Sequence, residues 1–394
     1  MTKTPAKNLS QPNHGKSRNF QTGPVLTISA IHFIHDIYSS FLAPLLPLLI
    51  EKLSLSLTRA ALLSTIMQIP ALLNPYLGAI ADRRTGRWFI ILTPATTAMP
   101  MSMIGLAPGF GVLAILLFVA GISAATFHVP TPVMISSLSG SQVGKGMSFF
   151  MTGGELARTV GPLAAIGAVS LFGLEGFFPV MLVGIIASII LYFKLKGQSF
   201  NLANKKNPTI IKTWQKMRHI LFPLTVILIF RSFMHSAIVT FLPTFIQIET
   251  KNLWLSGVAL TIYEASGVIG TLASGPMSDH FGRRQIILIS IIVTPFCFLS
   301  FCWIQCPIRF VMLAFTGIFL LSTTPVMLAL VQDHAKNSPS AANGLFIMIS
   351  FIARSAIVLL VGMLGDMIGL KSTYVVSAFL GLLAIPFVMM LPDK

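Results

Sequence analysis

Long apolar runs alternate with short polar connections along this chain of 394 residues. A helix needs about 20 mostly apolar residues to cross a bilayer. Twelve runs meet that condition, and we number them spans 1 to 12: 24–50, 58–81, 88–107, 111–137, 143–170, 174–196, 219–248, 255–278, 285–304, 308–332, 341–365 and 370–391. The pattern predicts an all-α membrane protein with twelve transmembrane helices.

A polar loop occurs twice, after span 2 and after span 8. Each copy is a glycine followed by an aspartate and by arginines. The members are Gly78, Asp82, Arg83 and Arg87 in the first copy and Gly275, Asp279, Gly282 and Arg283 in the second. The two leading glycines are 197 residues apart, half the chain. Such a repeat in an apolar chain is typical of transporters built from two membrane repeats, and we expect these residues to act in gating.

The repeat also predicts how the chain is divided. We expect a cytoplasmic tail at 1–22, a six-helix bundle at 23–196, a basic linker at 197–218 and a second, pseudo-symmetric six-helix bundle at 219–394. Corresponding helices of the two bundles are then related by the spacing of the repeated loop. Twofold arrangement of this kind places a substrate site between the bundles.

Composition and charge exclude a soluble protein. Charged residues make up 10% of the chain, whereas soluble domains carry about 25%. The net charge of +16 comes from basic residues that flank the spans, so we expect a lipid bilayer and no nucleic acid as partner. With the N-terminus inside, 19 of the 27 Lys and Arg residues are cytoplasmic and five are on the opposite side. This bias predicts a multi-pass protein of the inner (plasma) membrane with both termini cytoplasmic.

Several ionisable residues lie inside the apolar runs. A charge at mid-membrane costs at least about 2.5–3.5 kcal/mol, so such residues face a protein interior or a wet cavity. They are His32, His35 and Asp36 in span 1, Glu155 and Arg158 in span 5, Arg231 and His235 in span 7, Glu264 in span 8, and Arg354 in span 11. Spans 3, 6, 9 and 12 carry no charge in their middles. The distribution predicts a charged pocket lined by some spans and not by others.

These residues have structural and functional interpretations. For span 1, we favour proton coupling by Asp36, His32 and His35, because intramembrane carboxylates and histidines are the usual proton carriers. A metal site there is not favoured, because the chain shows no further ligand set. We assign the other six residues to substrate binding. The i,i+3 spacing of Glu155 and Arg158 equally suits a local ion pair, and the arginines suit either anion binding or structural pairing.

Prolines interrupt spans 4 and 10 at corresponding places. Span 4 contains Pro130 and Pro132, and span 10 contains Pro325, which lies 195 residues after Pro130. Proline removes a helical hydrogen bond and kinks the helix. We therefore expect broken helices there, with Pro130 and the neighbouring His128 acting in gating or packing.

The repeated loop resembles a family signature. The pattern G-x3-D-x2-G-R-R between spans 2 and 3 resembles the signature loop of the major facilitator superfamily. The second copy matches it fully, whereas the first has Gly86 one place later than the pattern. The resemblance implies a major facilitator fold that works by alternating access, with spans 3, 6, 9 and 12 facing lipid.

Within that superfamily the chain resembles the fosmidomycin-resistance type of drug exporter. The stretches that carry the resemblance are His32 with Asp36, Pro47-Leu48-Leu49, Phe127-His128, Gly153-Gly154, Gly161-Pro162, the second signature loop and Leu391-Pro392-Asp393. The departures make the pocket more charged: His35 and Glu155 replace the family's usual asparagines, and Arg158 and Arg354 replace small residues. The resemblance implies proton coupling and leaves the substrate open.

The sequence thus predicts a monomeric, proton-coupled secondary transporter that exports a small organic solute, drug-like or anionic. An alternative is a specific carrier, for uptake or export, of a carboxylate, a phosphonate or a polycarboxylate siderophore. A membrane receptor or scaffold is a third class. We expect no enzymatic activity, because no nucleophile–base pair or metal set lies at one depth. We also expect no cofactor, with the proton gradient as energy source, since the chain has no Walker loop.

Overall fold

The computed structural model describes residues 20–74, 86–140, 142–195, 210–335 and 339–392, which are almost entirely helical. The helices are α1 (Thr22–Ser39), α2 (Leu42–Leu53), α3 (Leu57–Gln68), α4 (Gly86–Met103), α5 (Phe110–His128), α6 (Thr131–Leu138), α7 (Val143–Gly176), α8 (Met181–Lys194), α9 (Ile210–Thr250), α10 (Leu253–Phe281), α11 (Arg283–Trp303), α12 (Arg309–His334), α13 (Pro339–Ile368), α14 (Leu370–Leu382) and α15 (Ile385–Met389). Short 3₁₀ turns lie at Ile69–Leu73, Ile104–Leu106 and Phe178–Val180.

The number of membrane helices agrees with the sequence. In the described ranges, ten helical stretches are long and apolar enough to cross a membrane. Two shorter apolar stretches, Leu57–Leu73 and Phe178–Lys194, lie at the predicted spans 2 and 6. The all-helical class and the twelve-helix architecture are confirmed. The predicted tail and most of the predicted linker fall on 1–19 and 196–209, outside the described residues, so the division into domains stays a prediction.

Local signals fix several helix ends on one side of the protein. The Ser56 side chain accepts a hydrogen bond from the Arg59 backbone N–H at 3.2 Å and caps α3. The Asn252 side chain accepts from the Leu255 N–H at 3.0 Å and caps α10 in the same way. These caps satisfy N–H groups that have no partner inside the helix. Gly369 joins α13 to α14 with φ 79°, a conformation that glycine adopts without a Cβ clash.

Span 1 is broken in its middle, which the sequence did not predict. Helix α1 ends at Ser39 and α2 begins at Leu42. The Ser40 hydroxyl donates to the Ile37 carbonyl at 2.7 Å and satisfies one of the freed acceptors. Gly161 of α7 packs directly on Ser40, and a Cβ at position 161 would overlap the Ser40 hydroxyl. The break therefore coincides with this tertiary contact and with Pro44, which has no N–H for the Ser40 carbonyl four residues earlier.

Spans 4 and 10, in which prolines predicted a break, behave differently. Span 4 is broken as predicted, with α5 ending at His128 and α6 beginning at Thr131. The predicted break in span 10 is wrong, because α12 continues across Pro325. One turn before that proline, the Leu320 carbonyl accepts from Arg231 Nη2 at 2.7 Å and from the Thr323 hydroxyl at 2.8 Å. These bonds tie the Leu320 carbonyl to span 7, whereas the carbonyl that loses its helical donor to Pro325 is that of Leu321.

Spans 1–6 and spans 7–12 are closed against each other on one side of the membrane. We call this the far side; the second signature loop defines the opposite, loop side. On the far side the Asp366 carboxylate, from α13, accepts from the N–H groups of Leu57 and Thr58 at 2.7 and 2.9 Å. It also accepts from the Thr58 hydroxyl at 2.5 Å. Asp366 thereby caps α3 from the other half of the chain.

Helices α7 and α10 also touch towards the far side and separate towards the loop side. The Thr261 hydroxyl donates to the Thr159 carbonyl at 2.9 Å, and Gly257 packs against Ile166. Beyond these contacts a cleft of about 340 Å³ lies between the two helices. Its lining consists of Met147, Ser148, Met151, Thr152, Glu155, Leu156, Val268, Thr271 and Leu272. The structure is therefore open on the loop side, and the cleft reaches Glu155.

Asp366→Ala is expected to weaken the far-side closure. The change removes a cap on α3, a loss of about 0.5–2 kcal/mol, so the far-side-open population should rise by about twofold to thirtyfold. The distance between spin labels at Arg59→Cys and Met367→Cys, measured by pulsed electron resonance, reports this population. Glu175→Ala is the matched control, because Glu175 is an exposed carboxylate that pairs at 2.6 Å with Lys52 inside spans 1–6. Equal distance distributions in both variants would contradict the assigned role of Asp366.

Candidate functional site

Three histidines surround the Asp36 carboxylate inside the membrane region. His35 Nδ1 lies 2.8 Å from Asp36 Oδ1, and His128 Nε2 lies 3.2 Å from the same oxygen. His32 Nε2 lies 3.1 Å from Asp36 Oδ2. We call these four residues the histidine cluster. The sequence predicted that His32, His35 and Asp36 lie together. His128 was assigned to gating; it comes from span 4 and joins them through the tertiary fold.

Aromatic rings and glycines hold the two span-1 histidines in place. The His32 ring stacks on Phe150 with centroids 4.0 Å apart, and the His35 ring stacks on Phe127 at 4.4 Å. His32 Nδ1 also donates to the Phe150 carbonyl at 2.8 Å. Gly154 faces His32 so closely that a Cβ there would come within 2.8 Å of the ring. The packing leaves Asp36 and His128 as the members of the cluster that reach open space.

The histidine cluster is also the one place in the described ranges where three ligand-type side chains converge. One ligand atom from each of His32, Asp36 and His128 lies within 4.8 Å of the others. The same nitrogens and oxygens lie at contact distance from one another. The sequence favoured protons over a metal ion at this place, and that stays a prediction.

A second group of charges lies beside the cluster, from spans 5, 8 and 11. Arg158 forms an ion pair with Glu155, as the i,i+3 spacing allows, and its side chain is 53% exposed. Glu264 is buried, and its charge attracts both Arg158 and Arg354. The Arg354 guanidinium lies over the Phe351 ring at 5.0 Å. In the described part of the chain, Arg354 has no ion pair or hydrogen bond, so its donors are free for a ligand.

The other predicted binding residues, both in span 7, are packed inside spans 7–12. Arg231 is 5% exposed. Its Nε and Nη2 donate to the Leu320 carbonyl at 3.2 and 2.7 Å, and Nη2 also lies 3.1 Å from the Thr324 hydroxyl. His235 Nδ1 lies 3.2 Å from the Tyr263 hydroxyl. Arg231 therefore joins span 7 to span 10 in this structure, which favours the structural one of the two interpretations that the sequence left open.

The second signature loop forms a network of charges on the loop side. Gly282 separates α10 from α11 with φ 96°. Arg283 pairs with Asp279 at 2.6 Å and with Asp333 at 3.3 Å, and it donates to the Ser278 hydroxyl. Asp333 belongs to α12, so Arg283 links three helices at their loop-side ends. Of the first loop, Gly78, Asp82 and Arg83 lie outside the described residues, as does the side chain of Arg87.

Asp279→Asn is expected to slow switching between the two access states while leaving substrate affinity nearly unchanged. The substitution removes one of two carboxylates that hold Arg283 across helices that must re-pair during the transition. Transport rate and equilibrium binding, measured on the same preparation, separate the two quantities. Lys145→Gln, at an exposed position on the same side, is the control for a simple loss of charge. A large loss of affinity with a normal rate of exchange would refute the gating role.

The fold and the buried charges together define a multi-pass membrane transporter. In the described ranges, ten long and two shorter apolar helical stretches enclose titratable groups, and the cleft between α7 and α10 opens towards the loop side. The Major Facilitator Superfamily model matches residues 28–357 and 255–394. The chain therefore belongs to the Major Facilitator Superfamily, a family of transporters for small molecules.

Relatives and solved structures agree with this assignment. The chain is 25% identical over 379 residues to the fosmidomycin resistance protein of Escherichia coli, covering 93% of this chain and 92% of the relative. It is 24% identical to the uncharacterized MFS-type transporter YfnC of Bacillus subtilis, covering 92% and 91%. A bacterial homologue of the human lysosomal transporter Spinster, solved in an inward-facing and occupied conformation, superposes with a TM-score of 0.80 at 15% identity, covering 95% and 97%. A drug-resistance protein and an MFS-type transporter are thus among the relatives in sequence.

Proposed function

We propose that this protein is a proton-coupled antiporter that exports a small organic solute by alternating access. The observation that carries the proposal is the histidine cluster. A carboxylate and three imidazoles in direct contact, at the depth of the membrane region, are groups of the kind that carry protons in membrane transporters. The likeness to a fosmidomycin resistance protein supports the direction of export.

The remaining parts of the proposal follow from charge distribution. The positive-inside bias puts both termini and the loop side in the cytoplasm of a cell with this protein in its inner (plasma) membrane. The cleft between α7 and α10 then faces the cytoplasm, so the structure represents an inward-open state. The proton gradient is the energy source, no cofactor takes part, and the monomer is the working unit.

An efflux assay tests the proposed function. The protein is expressed in cells that lack their major drug exporters, and the cells are loaded with fosmidomycin and, separately, with a panel of neutral and cationic drugs. We expect faster efflux of at least one compound than in cells with an empty vector, and loss of that difference when a protonophore collapses the gradient. Efflux that continues unchanged after collapse would refute proton coupling. A receptor or scaffold would give no efflux of any compound.

A second, narrower proposal concerns the charge of the substrate. We propose that the substrate carries an anionic group, such as a carboxylate, phosphate or phosphonate, bound by Arg354 with help from Arg158. The supporting observation is that the Arg354 guanidinium has no hydrogen-bond acceptor in the described ranges, although it lies inside the protein. A guanidinium stays charged at any accessible pH and favours bidentate pairing with such groups. The same arrangement also suits a specific carrier of carboxylates, phosphonates or siderophores.

A further inference from the structure

A chain of hydroxyl groups lies behind His35, on the side away from Asp36. Thr97 Oγ1, from α4, lies 2.9 Å from His35 Nε2. Thr97 Oγ1 donates to Ser123 Oγ of α5 at 2.7 Å, and Ser123 Oγ donates to the Thr93 carbonyl at 3.1 Å. His35 and Thr97 are fully buried and Ser123 is 4% exposed. Side chains from spans 1, 3 and 4 therefore meet in one hydrogen-bonded chain.

The direction of these hydrogen bonds fixes the protonation of His35 Nε2. Besides Thr97, two acceptors lie near the Ser123 hydroxyl: the Thr93 carbonyl at 3.1 Å and Thr96 Oγ1 at 2.7 Å. Thr97 has a single hydroxyl hydrogen, and the geometry directs it to Ser123. Thr97 must then accept from His35, so His35 Nε2 carries a hydrogen. Both branches beyond Ser123 end on backbone carbonyls of α4, and the role of the chain is to orient the ring.

This orientation turns the bare nitrogen of a neutral His35 towards Asp36. A neutral imidazole has one N–H and one lone pair, and here the lone pair is on Nδ1, 2.8 Å from Asp36 Oδ1. Two acceptors at that distance repel each other unless a proton lies between them. A neutral His32 likewise turns the nitrogen without a hydrogen towards Asp36. Its Nδ1 donates to the Phe150 carbonyl at 2.8 Å, and its Nε2, 3.1 Å from Asp36 Oδ2, has no aligned hydrogen bond in the described structure.

We propose that the coupled proton is held between His35 Nδ1 and Asp36 Oδ1, and that Thr97 and Ser123 are positioning residues that hold it there by fixing the His35 tautomer. This inference rests on the proposed function for its place in transport. The structure then represents the proton-loaded state. When the proton leaves, the Nδ1 lone pair faces a carboxylate, and repulsion turns Asp36 away from His35 towards His128, whose side chain is 42% exposed.

The groups around Asp36 allow this proton-controlled movement. From its own helix it faces His32 and His35, from α5 it faces His128, and the Arg158 charge acts on it from α7. Arg158 is neutralised by Glu155 in this state. His128 Nε2 already lies 3.2 Å from Asp36 Oδ1, and His128 has no second hydrogen-bond partner in the described ranges, so a neutral His128 can hold the displaced carboxylate by donating from Nε2. Proton release would thus move one side chain between two histidines.

Thr97→Val tests the role of the hydroxyl with little change of shape. Without the hydroxyl, the hydrogen of a neutral His35 can move to Nδ1 and donate to the Asp36 carboxylate. That tautomer stabilises the deprotonated site, so the site should hold its proton less tightly. The lost preference for the Nε2–H tautomer is worth about one hydrogen bond to a charged group. We therefore expect the pH at which the His35–Asp36 site is half protonated to fall by about one to two units.

Nitrogen-15 NMR of histidine-labelled protein in lipid nanodiscs measures the tautomer without any substrate. The His35 signal is assigned by its loss in His35→Gln. At high pH we expect the Nε2–H form in the unmodified protein and in Thr97→Ser, and the Nδ1–H form in Thr97→Val. Ser123→Ala should give a mixture of the two forms. Thr126→Val is the matched control, since the Thr126 hydroxyl bonds only to carbonyls of its own helix.

The results separate this inference from the proposed function. Two results would overturn the assignment of the proton. One is an Nδ1–H tautomer of His35 in the unmodified protein. The other is an unchanged His35 tautomer in Thr97→Val, provided that Thr97→Val and Thr126→Val are equally stable to heat. The same variants are then assayed for the pH dependence of drug efflux, which a purely structural role of Thr97 would leave in place. If the tautomers change as expected while no variant shows pH-driven transport, the local assignment stands and the proposed antiport fails.

Discussion

Asp36→Asn abolishes transport driven by a pH gradient and leaves exchange of substrate across the membrane measurable: this is the largest effect that we expect. The amide has nearly the shape of the carboxylate but neither binds nor releases a proton. Three histidine nitrogens lie within 3.2 Å of Asp36, so no other group of the cluster can replace its negative charge. Protein reconstituted in liposomes, with a radiolabelled drug on both sides of the membrane, distinguishes transport driven by a pH gradient from exchange of substrate.

The control for Asp36→Asn is the carboxylate that directly follows the same span. Glu51 lies at the end of α2 with an exposed side chain, and Glu51→Gln makes an equivalent change far from the cluster. Both modes of transport should survive in that control. Full pH-driven transport by Asp36→Asn would remove the carboxylate from the coupling mechanism, and loss of exchange together with coupling would point to a folding defect.

Arg354→Gln weakens binding of an anionic substrate by about tenfold to a hundredfold, which corresponds to about 1.5–3 kcal/mol for one hydrogen bond to a charged group. The reason is that Arg354 has free donors beside Arg158 and Glu264. Calorimetric titration of the purified protein with fosmidomycin, a phosphonate, measures the change. Arg354→Lys keeps the charge but loses the planar fork, and it should recover only part of the affinity.

Arg231→Gln is the informative contrast, because it changes a buried arginine of the same helix bundle. The sequence alone assigned both arginines to the substrate. In the structure Arg231 is committed to the Leu320 carbonyl and Thr324, so its loss should lower the melting temperature more than the affinity. If Arg354→Gln exports neutral and cationic drugs as well as the parent and no anion competes, the anionic-substrate proposal fails and a general drug exporter remains.

The sequence predicted the architecture well because the bilayer dictates it. Span length follows from membrane thickness, and the repeated glycine–aspartate–arginine loop at half the chain length indicated the superfamily before any coordinates. The break in span 1 could not be predicted in this way. Pro44 removes the helical donor of the Ser40 carbonyl, but the close approach of Gly161 from another helix has no signal in span 1 itself.

The sequence could predict only those contacts of the site that lie within one helix. His32 and Asp36 share a helical face at i and i+4, so their contact could be read from spacing. His128 comes from another span, and nothing in its own helix indicates that it meets Asp36. The depth of His128, in the cytoplasmic half of span 4, led only to a gating or packing assignment. Depth likewise placed Arg231 and Arg354 in the membrane region but did not give the direction in which either side chain points.

The most direct test of the account is the movement of protons with substrate. Liposomes that contain the purified protein, a pH-sensitive dye and the exported compound are diluted into compound-free buffer of the same pH. Antiport predicts that the lumen becomes acidic as the compound leaves, whichever way the protein is inserted, and that Asp36→Asn gives no change. Efflux of the compound without any change of luminal pH, or with a rise in it, would contradict the account.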